Sequence, residues 1–285
     1  MSATAQRDHL VPTRLGRLAV RVLGEGPVTV LWPSMFVDSH TWDDLAELIT
    51  GRTLVLVDGP GLGRSEPLTR RSSIAEAAAA ASDLLEQLPS LGLDAGPVDW
   101  VGNAFGGHVG YELASQPRVL RSFVAISAPP EPVPAALRRQ VALLGPLLRT
   151  FGPVGPVRSA IFGALLTDAS AADPRIAGVV RASLARPTRR SLSLALRSFI
   201  VDRVDVSAAL PRIGVPTLFV AGDDRGDWSP EDARRAAAAV PDARAVTIAG
   251  ARTLVPLERP AELAAELDRF WVRQNGASVS NQENP

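Results

Sequence analysis

Seven short apolar runs punctuate the chain, and they constrain its fold more than anything else in it. They are Leu18 to Leu23, Val28 to Trp32, Thr53 to Val57, Val98 to Val101, Ser122 to Ile126, Thr217 to Val220 and Ala245 to Ile248. Most are rich in Val, Leu and Ile and do not alternate apolar with polar residues. Strands covered on both faces need that pattern. Helical stretches separate them: Trp42 to Ile49, Ser73 to Leu88, Phe105 to Ala114, Pro230 to Val240 and Pro260 to Val272. Ser229-Pro230 supplies an N-cap followed by proline at the first helical position. Strands alternating with helices predict an α/β architecture, a mostly parallel sheet with helices on both faces.

One segment breaks the alternation. Pro129 to Leu210 contains no convincing buried strand, and Ala, Leu and Arg dominate it. It reads as a helical cap inserted over the carboxyl edge of the sheet, where open α/β sheets bind ligands. The expected division is a core of residues 1–128 and 211–274, a cap of 129–210, and a small polar tail, 275–285, that reads as disordered.

Composition removes several classes of chemistry. Thirty basic residues balance thirty acidic ones, so no whole-chain charge calls for nucleic acid or an anionic membrane. Every basic residue is Arg, which excludes a lysine Schiff base and a P-loop lysine. There is no Cys, hence no disulfide, thiolate metal site or cysteine nucleophile. His9, His40 and His108 are far apart and match no zinc pattern. No run of about 18 apolar residues suggests a membrane span, and Met1 to Asp8 lacks a signal-peptide core. The expectation is a cytoplasmic protein acting on a small molecule, without metal or organic cofactor, with a homodimer as one open assembly.

Three stretches resemble the α/β-hydrolase family. Asp58-Gly59-Pro60-Gly61-Leu62-Gly63-Arg64-Ser65 follows a strand and is similar to the family's D-x-x-G-x-G-x-S turn. Val101-Gly102-Asn103-Ala104-Phe105-Gly106-Gly107 resembles the nucleophile elbow, G-x-S-x-G-G. Ile213 to Gly222, together with Gly250 through Pro260, resembles the last two strands and their loops. The resemblance runs from about Leu15 to Val272. It implies the α/β-hydrolase fold.

Against the family pattern, Ala104 stands at the nucleophile position, and a methyl group cannot attack a carbonyl. Thr253 stands where the histidine belongs, and Arg225 where the acid usually lies, although Asp223, Asp224 and Asp227 surround it. Pro33-Ser34 replaces the His-Gly that precedes the oxyanion loop. Four coincident departures speak for natural divergence rather than one engineered Ser-to-Ala change. Triad members act as a unit, so this pseudo-triad implies loss of ordinary serine-hydrolase chemistry.

Backbone donors do not depend on side chains. By the resemblance, the N–H groups of Phe105 and Met35 occupy the oxyanion-hole places, each worth about 3 kcal/mol to an oxyanion transition state. The expected catalytic set is His40 as general acid or base, Asp38 fixing its tautomer, and Ser34 beside them. Asp38 has a competing reading as a helix cap, and His40 as a residue of the exposed first turn. The expected substrate contacts are Met35, Asn103, Ala104, Phe105, Arg252 and Thr253. Arg252 could fork a carboxylate or phosphate, or pair with Asp224 or Asp227. His108 reads as a packing histidine. Three functions compete. The leading one is a cofactor-free lyase, isomerase or cyclase on a partly apolar substrate. The others are a hydrolase using Ser34 or an Asp, and a non-catalytic ligand-binding protein.

Overall fold

The computed structural model describes residues 6–224, 226 and 228–280. Eight strands form one sheet: β1 (Arg7–Thr13), β2 (Gly16–Leu23), β3 (Val28–Trp32), β4 (Thr53–Val57), β5 (Val98–Asn103), β6 (Leu120–Ile126), β7 (Thr217–Gly222) and β8 (Ala243–Ile248). Their order is β1-β2-β4-β3-β5-β6-β7-β8. The pairs β1–β2 and β2–β4 are antiparallel, and all later pairs are parallel. Strands β3, β4, β5 and β7 are buried along their whole length, which explains their unbroken apolar character. Strand β1 lies outside the seven apolar runs. Its run RDHLVPT carries polar residues because this edge strand is half exposed.

The helices are α1 (Asp43–Ala46), α2 (Ile74–Glu86), α3 (Phe105–Ala114), α4 (Ala135–Phe151), α5 (Gly155–Leu165), α6 (Asp168–Ala172), α7 (Pro174–Ala185), α8 (Arg189–Leu196), α9 (Pro230–Ala238), α10 (Val255–Glu258) and α11 (Pro260–Ser280). Two apolar clusters pack against the sheet. The larger includes Trp32, Trp100, Phe105, Tyr111 and Phe123, and the smaller Trp42, Leu218, Leu267 and Trp271. Capping follows the sequence. Ser73 accepts from the N–H of Glu76, and Ser229 forms a reciprocal capping box with Asp232.

The helices α4 to α8 all lie between β6 and β7, and a π turn (Arg197–Val201) follows α8. Side chains tie this insertion to the core. Buried Glu258 accepts from the N–H of Thr167 through Oε1 and from the N–H of Arg252 through Oε2, both at 2.8 Å. Ser191 Oγ donates to the Gly61 carbonyl at 2.8 Å and accepts from the N–H of Leu68 at 2.9 Å. Helix α11 continues to Ser280, so the segment read as a disordered tail from Asn275 is helical that far. Residues 281–285 lie outside the described residues.

Candidate active site

The turn from β5 into α3 places Ala104 at φ 46°, ψ −102°, a backbone conformation costly for any residue with a side chain. Two glycines make the turn possible. A Cβ on Gly102 would meet the Gly106 carbonyl at 2.2 Å, and one on Gly106 would meet the Trp32 carbonyl at 2.2 Å. Both obstacles are backbone, which cannot swing aside. The N–H of Ala104 donates to the Ile126 carbonyl at 2.7 Å, fixing the turn to β6. The second glycine-rich loop is ordered by Asp58. Its Oδ1 accepts from the N–H of Ser39 at 2.8 Å and its Oδ2 from the N–H of Arg64 at 2.7 Å.

Above Ala104, between the sheet edge and the insertion, lies a mainly apolar cavity of about 160 Å³. Its floor includes Ser34, Met35, Ala104, Phe105, Ser127 and Thr253. Its roof and walls include Val141, Leu144 and Leu148 of α4, Ile161 of α5 and Phe199 of the π turn. The Phe105 and Phe199 rings stack with centroids 4.5 Å apart, joining floor to wall. Phe105 opens α3 and Met35 sits in a turn, and neither N–H has a protein acceptor among the described residues. Ser34 Oγ likewise makes no hydrogen bond among them. The other hydroxyls are engaged: Thr253 Oγ1 donates to the Ala164 carbonyl at 2.8 Å, and Ser127 Oγ to that of Arg252 at 3.2 Å.

His40 and Asp38, expected beside the cavity, do not line it. Asp38 is fully buried and caps the turn at Ser39–Trp42 by accepting from the N–H of His40 at 3.1 Å. It also accepts from His40 Nδ1 at 3.0 Å, so that nitrogen carries the proton, and forms an ion pair with Arg186 after α7. Burial alone would raise the Asp38 pKa. The hydrogen bond from the His40 ring and the charge of Arg186 outweigh burial and hold it below the ordinary carboxylate range. The pair therefore fastens α7 to the core, with the imidazole partly exposed at that seam.

Asn103 also stands away from the cavity. Its Nδ2 donates to the carbonyls of Ile126 at 3.1 Å and Thr253 at 2.8 Å, so its amide braces two loops. Arg252 does line the cavity but is not an open anion fork. Its Nη1 donates to the Gly163 carbonyl at 2.6 Å, and its Nη2 lies 3.2 Å from both oxygens of Asp224. Of its two expected partners, Asp224 is the one seen, and the guanidinium is buried rather than on the surface. Arg225 and Asp227 lie outside the described residues.

His108 is buried and hydrogen-bonded, as a packing histidine should be, and it also lines the cavity. It sits one helical turn beyond Ala104, a four-residue spacing that puts both on one face of α3. That spacing was the available signal. Its Nε2 lies 2.9 Å from the Pro129 carbonyl, which can only accept, so Nε2 bears the proton. Nδ1 is buried without a partner among the described residues. Burial, helped by the nearby charge of Arg203, lowers the His108 pKa to about 3, so the ring is neutral at ordinary pH.

The alpha/beta hydrolase family model matches residues 29–266. The chain belongs to the alpha/beta hydrolase family. Over 228 residues it is 32% identical to the putative carbamate hydrolase RutD of Pseudomonas savastanoi pv. phaseolicola, covering 79% of this chain and 85% of that protein. It is also 32% identical over 239 residues to polyketide synthase ThaQ of Burkholderia thailandensis. That match covers 80% of this chain but spans only 11% of the synthase. A thermophilic esterase from Thermogutta terrifontis superposes with a TM-score of 0.83 at 21% identity, covering 94% of this chain and 98% of the esterase. At that identity the superposition speaks for the fold alone.

Proposed function

We propose that this member of the family holds a small, largely apolar molecule beneath its cap and does not turn it over through an acyl-enzyme. The observation that carries this reading is the lining of the cavity. The elbow position bears the methyl group of Ala104, and the imidazole that lines the cavity is His108, whose pKa of about 3 leaves it a poor base. The position equivalent to the family histidine is Thr253, with its hydroxyl committed to the Ala164 carbonyl. The triad is thus lost as a working unit in this reading.

The same lining argues against the lyase, isomerase or cyclase expected from the sequence. Those reactions move a proton, and His40, the expected base, is spent on the Asp38–Arg186 seam. What remains suits binding: apolar walls, the hydroxyl of Ser34, and two backbone N–H groups able to hold a ligand oxygen. A cavity of about 160 Å³ matches the size that admits a molecule like benzene. RutD and the Thermogutta esterase carry hydrolase names, so hydrolysis by a displaced nucleophile is the reading to eliminate, and Ser34 is its candidate.

Two assays on the same preparation decide it. Hydrolysis of p-nitrophenyl acetate and butyrate is expected at the buffer rate for the natural chain and for Ser34→Ala. Titration calorimetry with toluene and p-cresol is expected to show binding that Leu144→Trp, which fills the cavity, removes. Ester hydrolysis abolished by Ser34→Ala would overturn the binding reading and establish Ser34 as the nucleophile.

A further inference from the structure

The chain is neutral as a whole, but its charge is unevenly placed. Between Glu131 and Asp168 there is no acidic residue, while Arg138, Arg139, Arg149 and Arg158 all fall in that interval. This stretch is the α4–α5 hairpin that roofs the cavity. All four arginines are exposed, and none enters an ion pair among the described residues. Elsewhere exposed arginines are commonly matched, as Arg14 is with Asp83, Arg17 with Glu66 and Arg70 with Glu76.

The same hairpin exposes apolar side chains. Leu143 is 76% exposed, Phe151 62% and Val154 50%, three of the eight large apolar side chains left in solvent among the described residues. Arg139, Leu143, Leu147 and Phe151 follow at four-residue intervals, the spacing that brings side chains together along one side of a helix. The neighbouring side of α4 faces the cavity through Val141, Leu144 and Leu148. Helix α4 is therefore apolar toward the cavity and both apolar and basic toward solvent.

We infer that the α4–α5 hairpin docks on an anionic lipid surface. An interfacial helix buries apolar residues at the headgroup boundary while arginines meet lipid phosphates. The charge complementarity selects this occupant over a second copy of the chain, because two copies face to face would bring eight like charges together with no acid from either hairpin. Docking there would set the roof of the apolar cavity against the layer from which an apolar molecule could enter. The docking surface itself does not depend on what the cavity holds.

Co-sedimentation with vesicles tests it, using the full chain. Binding is expected to vesicles of phosphatidylcholine mixed with phosphatidylglycerol, to weaken with added salt, and to be absent for phosphatidylcholine alone. Arg138→Gln with Arg139→Gln should lower the partition coefficient by roughly 25-fold, at about fivefold per arginine. Leu143→Ser with Phe151→Ser should remove binding while leaving toluene binding and the thermal unfolding midpoint unchanged. Failure of the natural chain to sediment with either vesicle, or equal binding to both, overturns the inference. A dimer in light scattering that Leu143→Ser with Phe151→Ser converts to monomer, without vesicle binding, assigns the face to a second copy instead. Loss of toluene binding with vesicle docking intact would count against the cavity reading alone.

Discussion

The floor of the cavity and its roof handle charge in opposite ways. On the floor, Arg252 is buried and engaged by the Gly163 carbonyl and Asp224, and His108 is held neutral against the Pro129 carbonyl. On the roof, Arg138, Arg139 and Arg149 stand in solvent without acidic partners among the described residues. The difference follows from solvation. A buried charge must be paired or discharged, whereas a solvated one costs little and stays available to a partner. Residues of one type therefore do structural work below the cavity and could do recognition work above it. If that contrast is right, changes on the floor cost stability, and changes on the roof cost only binding.

The largest expected effect is on the floor and depends on pH. The folded chain keeps His108 neutral down to about pH 3, whereas an unfolded chain titrates near its ordinary value of 6.5. Between those values the unfolded state binds more protons, so stability is full above the unfolded pKa and falls as the medium is acidified. The loss from this group reaches about 3 kcal/mol between pH 7 and pH 4. Urea unfolding of the natural chain and of His108→Gln across that range checks it. The variant should lack this component, and equal slopes for the two proteins would show that His108 titrates normally.

Next comes the floor arginine. Arg252→Ala removes the bonds to the Gly163 carbonyl and to Asp224, and should destabilise the fold by about 2 kcal/mol. It should also loosen α5, since Gly163 belongs to that helix. Amide exchange at α5 would report this. A large loss of ligand affinity with unchanged stability would instead revive the anion-binding role.

How far the sequence could reach shows in the same two regions. The sheet was legible because burial on both faces writes itself as unbroken Val, Leu and Ile. The elbow was legible because close backbone packing at Gly102 and Gly106 admits no side chain. The polar residues of the site were not. His40 and Asp38 sit on the expected loop, but Arg186, 148 residues away in sequence, draws Asp38 into a seam with the insertion. Asn103 adjoins the elbow, yet its amide reaches Thr253, 150 residues on. Partners so distant leave no local pattern. The roof's asymmetry could have been seen in the sequence, because it is an interval without acids. A count over the whole chain averaged it away.

The smallest expected effect is the one that tests the roof directly. Arg138→Gln with Arg139→Gln should change unfolding free energy by no more than about 0.5 kcal/mol, the range for surface substitutions away from packed features. Glutamine keeps much of the helical propensity of arginine, so the helix itself should be undisturbed. The measurement is a denaturant midpoint at low salt, where surface electrostatics are felt most strongly. A slight gain in stability would be informative, since the two adjacent cations repel each other with no acid nearby to offset them. A loss above about 1 kcal/mol would mean that these arginines have partners in the folded chain. The contrast between floor and roof would then fail, and with it the argument that the roof holds its charge in reserve for a lipid surface.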